Sequence, residues 1–229
     1  MESRLESLNA TGLMTINNDD PFTTSEVVTL SLVHGTAEQM YVTNDPTCSS
    51  GGVWETTATT KLWTLGAKNA ETSVYVKFSN DGDGGLASRC VGDSIVHDDI
   101  APTLSIINRP GAYTNAANVN ATFSTHDSGS GVSIVNCTAV SGSTTASCSK
   151  DGITVNAPQE GSHRYNIVAR DAAGTASTVE VLSFIVDRTA PTVRINSSPS
   201  AISNESAARF LVSGTEASGI ERYEYRLGS

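Results

Sequence analysis

"VDRTAPTVRI", Val186–Ile195, restates "HDDIAPTLSI", His97–Ile106. In both stretches an acidic residue precedes Ala-Pro-Thr and an apolar strand start follows it. The two prolines, Pro102 and Pro191, stand 89 residues apart. Self-similarity at a fixed period is the mark of small structural units repeated in series. Proline fixes its own φ and pushes the residue before it towards an extended conformation. Asp-x-x-Ala-Pro-Thr therefore reads as a short, stiff linker that sets the spacing between units.

The match extends outward from the linkers. "INNDDPFTTSEVVTLSL" from Ile16 lies over "INRPGAYTNAANVNATF" from Ile107 without a gap, so that Phe22 answers Tyr113. Val28, Leu30 and Leu32 answer Val119, Ala121 and Phe123, with polar residues between them, the period-2 pattern of a strand with one buried face. Val74, Val76 and Phe78 repeat this pattern in "VYVKFSND", and Tyr165, Ile167 and Ala169 in "YNIVARD". The closing strands "DSIVHD" and "LSFIVD" precede the two linkers. A third copy opens at Thr192, with Ala208, Phe210 and Val212 alternating and "IERYEYRL" expected as its third strand. The boundaries are a lead segment at 1–12, whose "MESRLESLNA" is helix-like, repeats at 13–101 and 102–190, and a partial repeat at 191–229.

Each full repeat holds about seven short strands separated by Gly, Asn, Asp, Pro and Ser turns. In the first they fall near 13–17, 26–33, 38–43, 53–58, 60–66, 72–80 and 93–98. This is the pattern of an immunoglobulin-like sandwich, and the expected fold is all-β: tandem sandwiches in an extended head-to-tail array. The inter-sheet cysteine pair and core tryptophan of antibody domains are missing. Leu30 and Val76 occupy the central strand positions, and the second repeat has no Trp.

Composition narrows the function. The 229 residues carry 24 acidic and 14 basic side chains, a net charge of −10, and no basic stripe, which argues against nucleic acid as a partner. No apolar run approaches the roughly 18–20 residues that span a bilayer, so no transmembrane segment is expected. "ESRLES" after Met1 lacks the apolar core of a signal peptide. Four cysteines fall two per repeat, Cys48 and Cys90, then Cys137 and Cys148. None lies in a CxxC or near a histidine in zinc spacing. Pairing within each repeat follows, and with it an oxidising compartment. "VNCTAVSGSTTASC" reads as a stapled hairpin or short connection.

No catalytic constellation emerges. His34, His97, His126 and His163 sit among turn and strand residues, and no nucleophile-elbow, metalloprotease or phosphate-loop motif occurs. The chain is expected not to be an enzyme and to need no cofactor, with one qualification. Tracing the strand directions brings the B–C and F–G loops of repeat two, carrying Asp127 and Asp171, to the end where the linker enters with Asp98 and Asp99. Hard carboxylate oxygens in such a cluster are what Ca²⁺ prefers. At the second linker, Asp187 would meet Glu216. "NDGDGG", Asn80–Gly85, lacks the Glu of an EF-hand at its twelfth position and reads as an F–G hairpin turn. Trp63 is in phase with Lys61 and Leu65 and belongs to the core. Trp54 is a core or disulfide-shielding residue, or a ligand contact stacking on a sugar.

With "VDRTAPT" closing the unit, "VARDAAG" ending a strand and Ser-Gly-Ile or Gly-Val before strand C, the chain resembles bacterial immunoglobulin-like repeat domains over about residues 13–229. The resemblance implies the stalk of a large secreted or cell-surface protein of the adhesin type. Its partners would be neighbouring repeats and a cell-surface protein or glycan ligand, and its location extracellular. It also implies Ca²⁺ at acidic joints, here Asp98, Asp99, Asp127, Asp171 and Asp187. The alternative is a set of accessory, carbohydrate-binding sandwich modules of a secreted enzyme whose catalytic domain lies elsewhere.

Overall fold

The computed structural model describes residues 12–80, 87–140 and 143–226. All regular structure among them is β, in 18 strands. The helix-like "MESRLESLNA" and most of the "NDGDGG" turn lie outside the described residues.

The first eight strands are β1 (Leu13–Ile16), β2 (Phe22–Thr23), β3 (Val27–Val33), β4 (Gln39–Thr43), β5 (Trp54–Thr56), β6 (Thr60–Thr64), β7 (Glu71–Ser79) and β8 (Val91–His97). They form a sheet of order β1-β3-β6 and a sheet of order β2-β8-β7-β4-β5. All neighbours are antiparallel except β2 and β8. Alternation decides which face is buried: Met14, Ile16, Val28, Leu30 and Leu32 point from one sheet into a core shared with Met40, Val42, Val74, Val76, Phe78 and Ile95 of the other. A fully buried Leu or Phe contributes about 1.5–3 kcal/mol relative to exposure.

The chain crosses between these sheets at Asn17–Asp19, three successive residues with positive φ (49°, 59° and 71°). Asn and Asp tolerate this region because their short polar side chains bond locally. Asn17 exchanges hydrogen bonds with Thr29, donating its amide to the Thr29 carbonyl and accepting the Thr29 amide on Oδ1. A second tie joins the sheets where the Ile16 amide donates to Asp93 Oδ2 at 2.7 Å.

The next eight strands repeat the plan: β9 (Thr103–Asn108), β10 (Tyr113–Thr114), β11 (Asn118–His126), β12 (Val132–Ala139), β13 (Ser147–Cys148), β14 (Gly152–Asn156), β15 (Gly161–Asp171) and β16 (Glu180–Val186). Their sheets run β13-β14-β11-β9 and β10-β16-β15-β12. The short β10 again pairs parallel with the closing strand. In the immunoglobulin lettering these are DEBA and A′GFC, the arrangement of that sandwich. Leu104, Ile106, Val119, Ala121, Phe123, Ile153 and Val155 are the buried hydrophobic residues of one sheet, and Val135, Tyr165, Ile167, Ala169, Leu182, Phe184 and Val186 those of the other.

Both expected disulfides form, Cys48–Cys90 and Cys137–Cys148. The second joins β12 to β13, strands of different sheets, so "VNCTAVSGSTTASC" is a stapled sheet-to-sheet connection rather than a hairpin.

Beyond the second linker, β17 (Thr192–Ser197) and β18 (Leu211–Thr215) make an antiparallel two-stranded ribbon. Ile195 is 59% exposed, whereas Ile106, which holds the same place in repeat two, is 9% exposed. The expected third strand "IERYEYRL" is not formed: Ile220–Arg226 carry no strand, and Leu227 lies outside the described residues. The corresponding β4 and β12 are held in ladders with β7 and β15. No equivalent partner strand follows β18 among the described residues.

By compactness the chain divides into two units. One holds the described residues through Leu104 together with Thr125–Val135 and Val168–Thr178; the other holds the remainder. Asp98, Asp127 and Asp171 therefore belong to one and the same unit.

Candidate cation site

Asp98 follows the last residue of β8, and its amide prolongs the β2–β8 pairing by donating to the Thr23 carbonyl at 2.8 Å. Its side chain is 0% exposed. Oδ2 accepts the Ser130 amide at 2.6 Å and Oδ1 the Ile100 amide at 3.2 Å. Burial pushes the Asp98 carboxyl up. The Ser130 hydroxyl and amide, the Ile100 amide and neighbouring His97 together outweigh it and hold the group below its ordinary value. Gly129 makes the approach feasible, since a Cβ there would lie 2.3 Å from Asp98 Cγ.

Asp127 follows β11 in the turn "DSGSG". Its Oδ2 accepts the amides of Gly129 (3.1 Å) and Gly131 (2.7 Å), and Gly131 supplies the left-handed residue, φ 79°, that the turn requires. Asp171 ends β15 and is 3% exposed; its Oδ1 accepts the Thr175 amide at 2.7 Å. The two loops are tied together by the Ala172 amide on the Gly131 carbonyl and the Ala173 amide on Ser130 Oγ.

One carboxylate oxygen from each of Asp98, Asp127 and Asp171 lies within 4.8 Å of the other two. The second oxygen of each loop carboxylate, Asp127 Oδ1 and Asp171 Oδ2, is buried with no hydrogen-bond partner, as is Thr175 Oγ1 in the same loop. Each loop carboxylate is thus fixed through one oxygen and leaves the other free. Two unit charges this close repel by about 3–4 kcal/mol at an effective dielectric constant near 20, and a shared cation removes that repulsion. Oxygens on one Ca²⁺ stand at most twice its roughly 2.3–2.6 Å bond length apart, which the cluster satisfies.

The other expected ligands lie elsewhere. Asp99 is exposed and outside the cluster, its amide bonded to Asn69 Oδ1 at 3.0 Å. Asp187 follows β16 as Asp98 follows β8. Its carboxyl is held below its ordinary value, first by the Ser218 hydroxyl, with the Thr189 amide and adjacent Glu216 contributing against burial. Asp187 Oδ1 accepts the Thr189 amide at 3.2 Å, and its Oδ2 is buried with no hydrogen-bond partner. Only two carboxylates, Asp187 and Glu216, meet there among the described residues. Trp54 is half-buried, its ring 5.5 Å from that of Tyr41, with the Lys77 ammonium over both rings at 5.4 and 4.9 Å. Leu65 is buried in the core and Trp63 packs against it half-buried, its Nε1 donating to Asn44 Oδ1 at 2.9 Å.

Sequence reasoning missed Ser130 and Thr175, whose backbone amides do the positioning. It also missed Asp45. Oδ1 of Asp45 accepts the Thr47 amide and hydroxyl, and Oδ2 the amides and hydroxyls of Ser49 and Ser50, ordering the loop around Cys48. "DPTCSS", with Ser and Thr two to five residues after an Asp, is the signal that could have found it.

No family model and no curated protein matches the sequence. Among solved structures, the chain is similar to fibronectin(III)-like modules of Clostridium thermocellum CbhA. The identity is 20% over 76% of this chain and 94% of that one, with a TM-score of 0.44. It is similar also to the D00-D0 domain of intimin (13% identity, 76% and 100% coverage, TM-score 0.33) and to the BSP domain of a biofilm-associated protein (17%, 79% and 30%, TM-score 0.27).

Proposed function

We propose that this chain is a non-enzymatic spacing or presenting segment of a bacterial surface or secreted protein. Its sandwiches are strung head to tail by the Ala-Pro-Thr linkers, and Ca²⁺ fastens the first linker. The observation that carries the reading is the linker residue Asp98, buried beside two loop carboxylates that each keep one oxygen free. A linker serving only as a tether has no use for a buried carboxylate; a linker that must keep one direction does. Asp98, Asp127 and Asp171 would hold the ion, which would supply charge neutralisation and a cross-link between the linker and two loops. Two disulfides suit the oxidising medium outside a cell, where free Ca²⁺ is plentiful. The partner is a cell-surface protein or glycan.

The test is thermal unfolding of EDTA-stripped protein with and without millimolar Ca²⁺. At a hundredfold excess over Kd the ion stabilises by about 2.7 kcal/mol, a shift of several degrees that Asp171→Ala removes. An unchanged melt in the native sequence would overturn the calcium reading.

A further inference from the structure

Arg188 stands where the first linker has Asp99, 89 residues earlier. Its guanidinium donates to the Pro158 carbonyl through Nη1 at 2.9 Å and to the Ala116 carbonyl through Nη2 at 2.8 Å. Its own amide donates to both oxygens of Glu160 at 3.1 Å, and Thr189 Oγ1 donates to the same carboxylate at 3.0 Å. One side chain thereby ties the second linker to two turns, the one between β10 and β11 and the one before β15. The corresponding hold on the first linker lies at Asn69, which accepts the Asp99 amide on Oδ1 and donates its own amide to His97 Nδ1, with no guanidinium involved. Asp98 and the two loop carboxylates hold the first linker on its other side, to the sandwich that follows it.

We infer that the two linkers are fastened by different cations: an exchangeable divalent ion at Asp98, Asp127 and Asp171, and the permanent guanidinium of Arg188 at the second linker. Calcium depletion would then loosen the first linker from the sandwich that follows it, and leave the second linker held by Arg188 to the sandwich that precedes it. Arg suits the fixed latch because its planar fork keeps its charge at any working pH and presents donors to two carbonyls at once. This rests on the calcium reading for the first linker only; the Arg188 latch stands independently of it.

Amide hydrogen exchange read by mass spectrometry on the whole chain tests both halves. In Ca²⁺ at a hundredfold excess over Kd, exchange at Ile100, Ser130 and Thr175 should slow by up to about a hundredfold, with exchange at Asp187–Thr189 unchanged. Arg188→Ala should speed exchange at Asp187–Thr189 by about tenfold, equally with Ca²⁺ or EDTA. Arg188→Lys, which keeps the charge but loses the fork, should recover only part of the protection. If Ca²⁺ slows Asp187–Thr189 as strongly as Ser130, the second linker binds the ion and the inference is wrong. If Arg188→Ala leaves those amides unchanged, the latch is absent. No calcium effect at any amide would overturn the cation reading while leaving the arginine arm to be judged by itself.

Discussion

Ser130 and Asp98 are 32 residues apart in sequence, and the Ser130 amide donates to Asp98 Oδ2 at 2.6 Å. This bond brings the loop after β11 onto the linker that follows β8. It also places the Gly129 Cα against the Asp98 carboxylate, which makes Gly129 a direct probe of the site.

Replacing Gly129 by alanine puts a methyl group 2.3 Å from Asp98 Cγ. The carboxylate is buried and held by two amides, so it cannot swing away freely, and overpacking of this kind costs about 1–3 kcal/mol. Gly129→Ala is expected to lower the melting temperature in EDTA and to blunt the stabilisation by Ca²⁺. Gly131→Ala has open space around its Cβ, but its φ of 79° is costly for alanine, so it should destabilise through the backbone. Paired melts in EDTA and Ca²⁺ distinguish the two routes.

Much of the fold was legible because burial alternates. Val28, Leu30 and Leu32, and Val74, Val76 and Phe78, fill one core as their spacing demands. The sheet crossing at Asn17–Asp19 was not legible, since positive φ at three successive residues leaves no periodic trace. The third strand of the last copy was misread for a related reason: "IERYEYRL" has strand composition, but a strand also needs a partner, which composition does not supply. At the site, strand direction pointed to Asp127 and Asp171, yet it could not separate Asp98 from Asp99. Successive side chains of an extended segment point opposite ways, so one aspartate is buried and its neighbour faces solvent. The amides of Ser130 and Thr175 could not be foreseen, because any residue carries one.

The two disulfides should differ in worth. Cys48–Cys90 closes a separation of 42 residues and Cys137–Cys148 one of 11. Chain-entropy reasoning assigns them about 4 and about 3 kcal/mol. Removing the first pair as a double Cys→Ala variant should therefore lower the urea midpoint more than removing the second. The reverse order would mean that the cross-sheet staple between β12 and β13 stabilises the folded state beyond its effect on the unfolded chain.

Acid should weaken the Cys48 loop. Asp45 is held well below its ordinary value of 3.8, first by the Thr47 amide, then by the Ser49 and Thr47 hydroxyls. A carboxyl depressed on folding contributes stability that is fully present above its unfolded value and is lost as pH falls through the folded one. Asp45→Asn should therefore be less stable than the native sequence at neutral pH, and the gap should narrow only below about pH 4. Urea midpoints between pH 2 and pH 7 measure it. A gap that stays constant down to pH 2 would assign the loss to geometry rather than charge.

Phe123 in β11 and Val212 in β18 hold the same position, 89 residues apart, in their copies. Phe123 is 7% exposed and Val212 is 43% exposed, because the β17–β18 ribbon has no facing sheet among the described residues. Phe123→Ala should cost about 3–5 kcal/mol, the range for deleting a buried aromatic side chain. Val212→Ala should stay within about 0.5 kcal/mol, as at other exposed positions. The comparison is made by urea unfolding followed through tryptophan fluorescence and through circular dichroism, since Trp54 and Trp63 report only on the first sandwich. A cost at Val212 approaching that at Phe123 would mean that the ribbon's apolar face is covered in solution, and the description of that face as open would have to be abandoned.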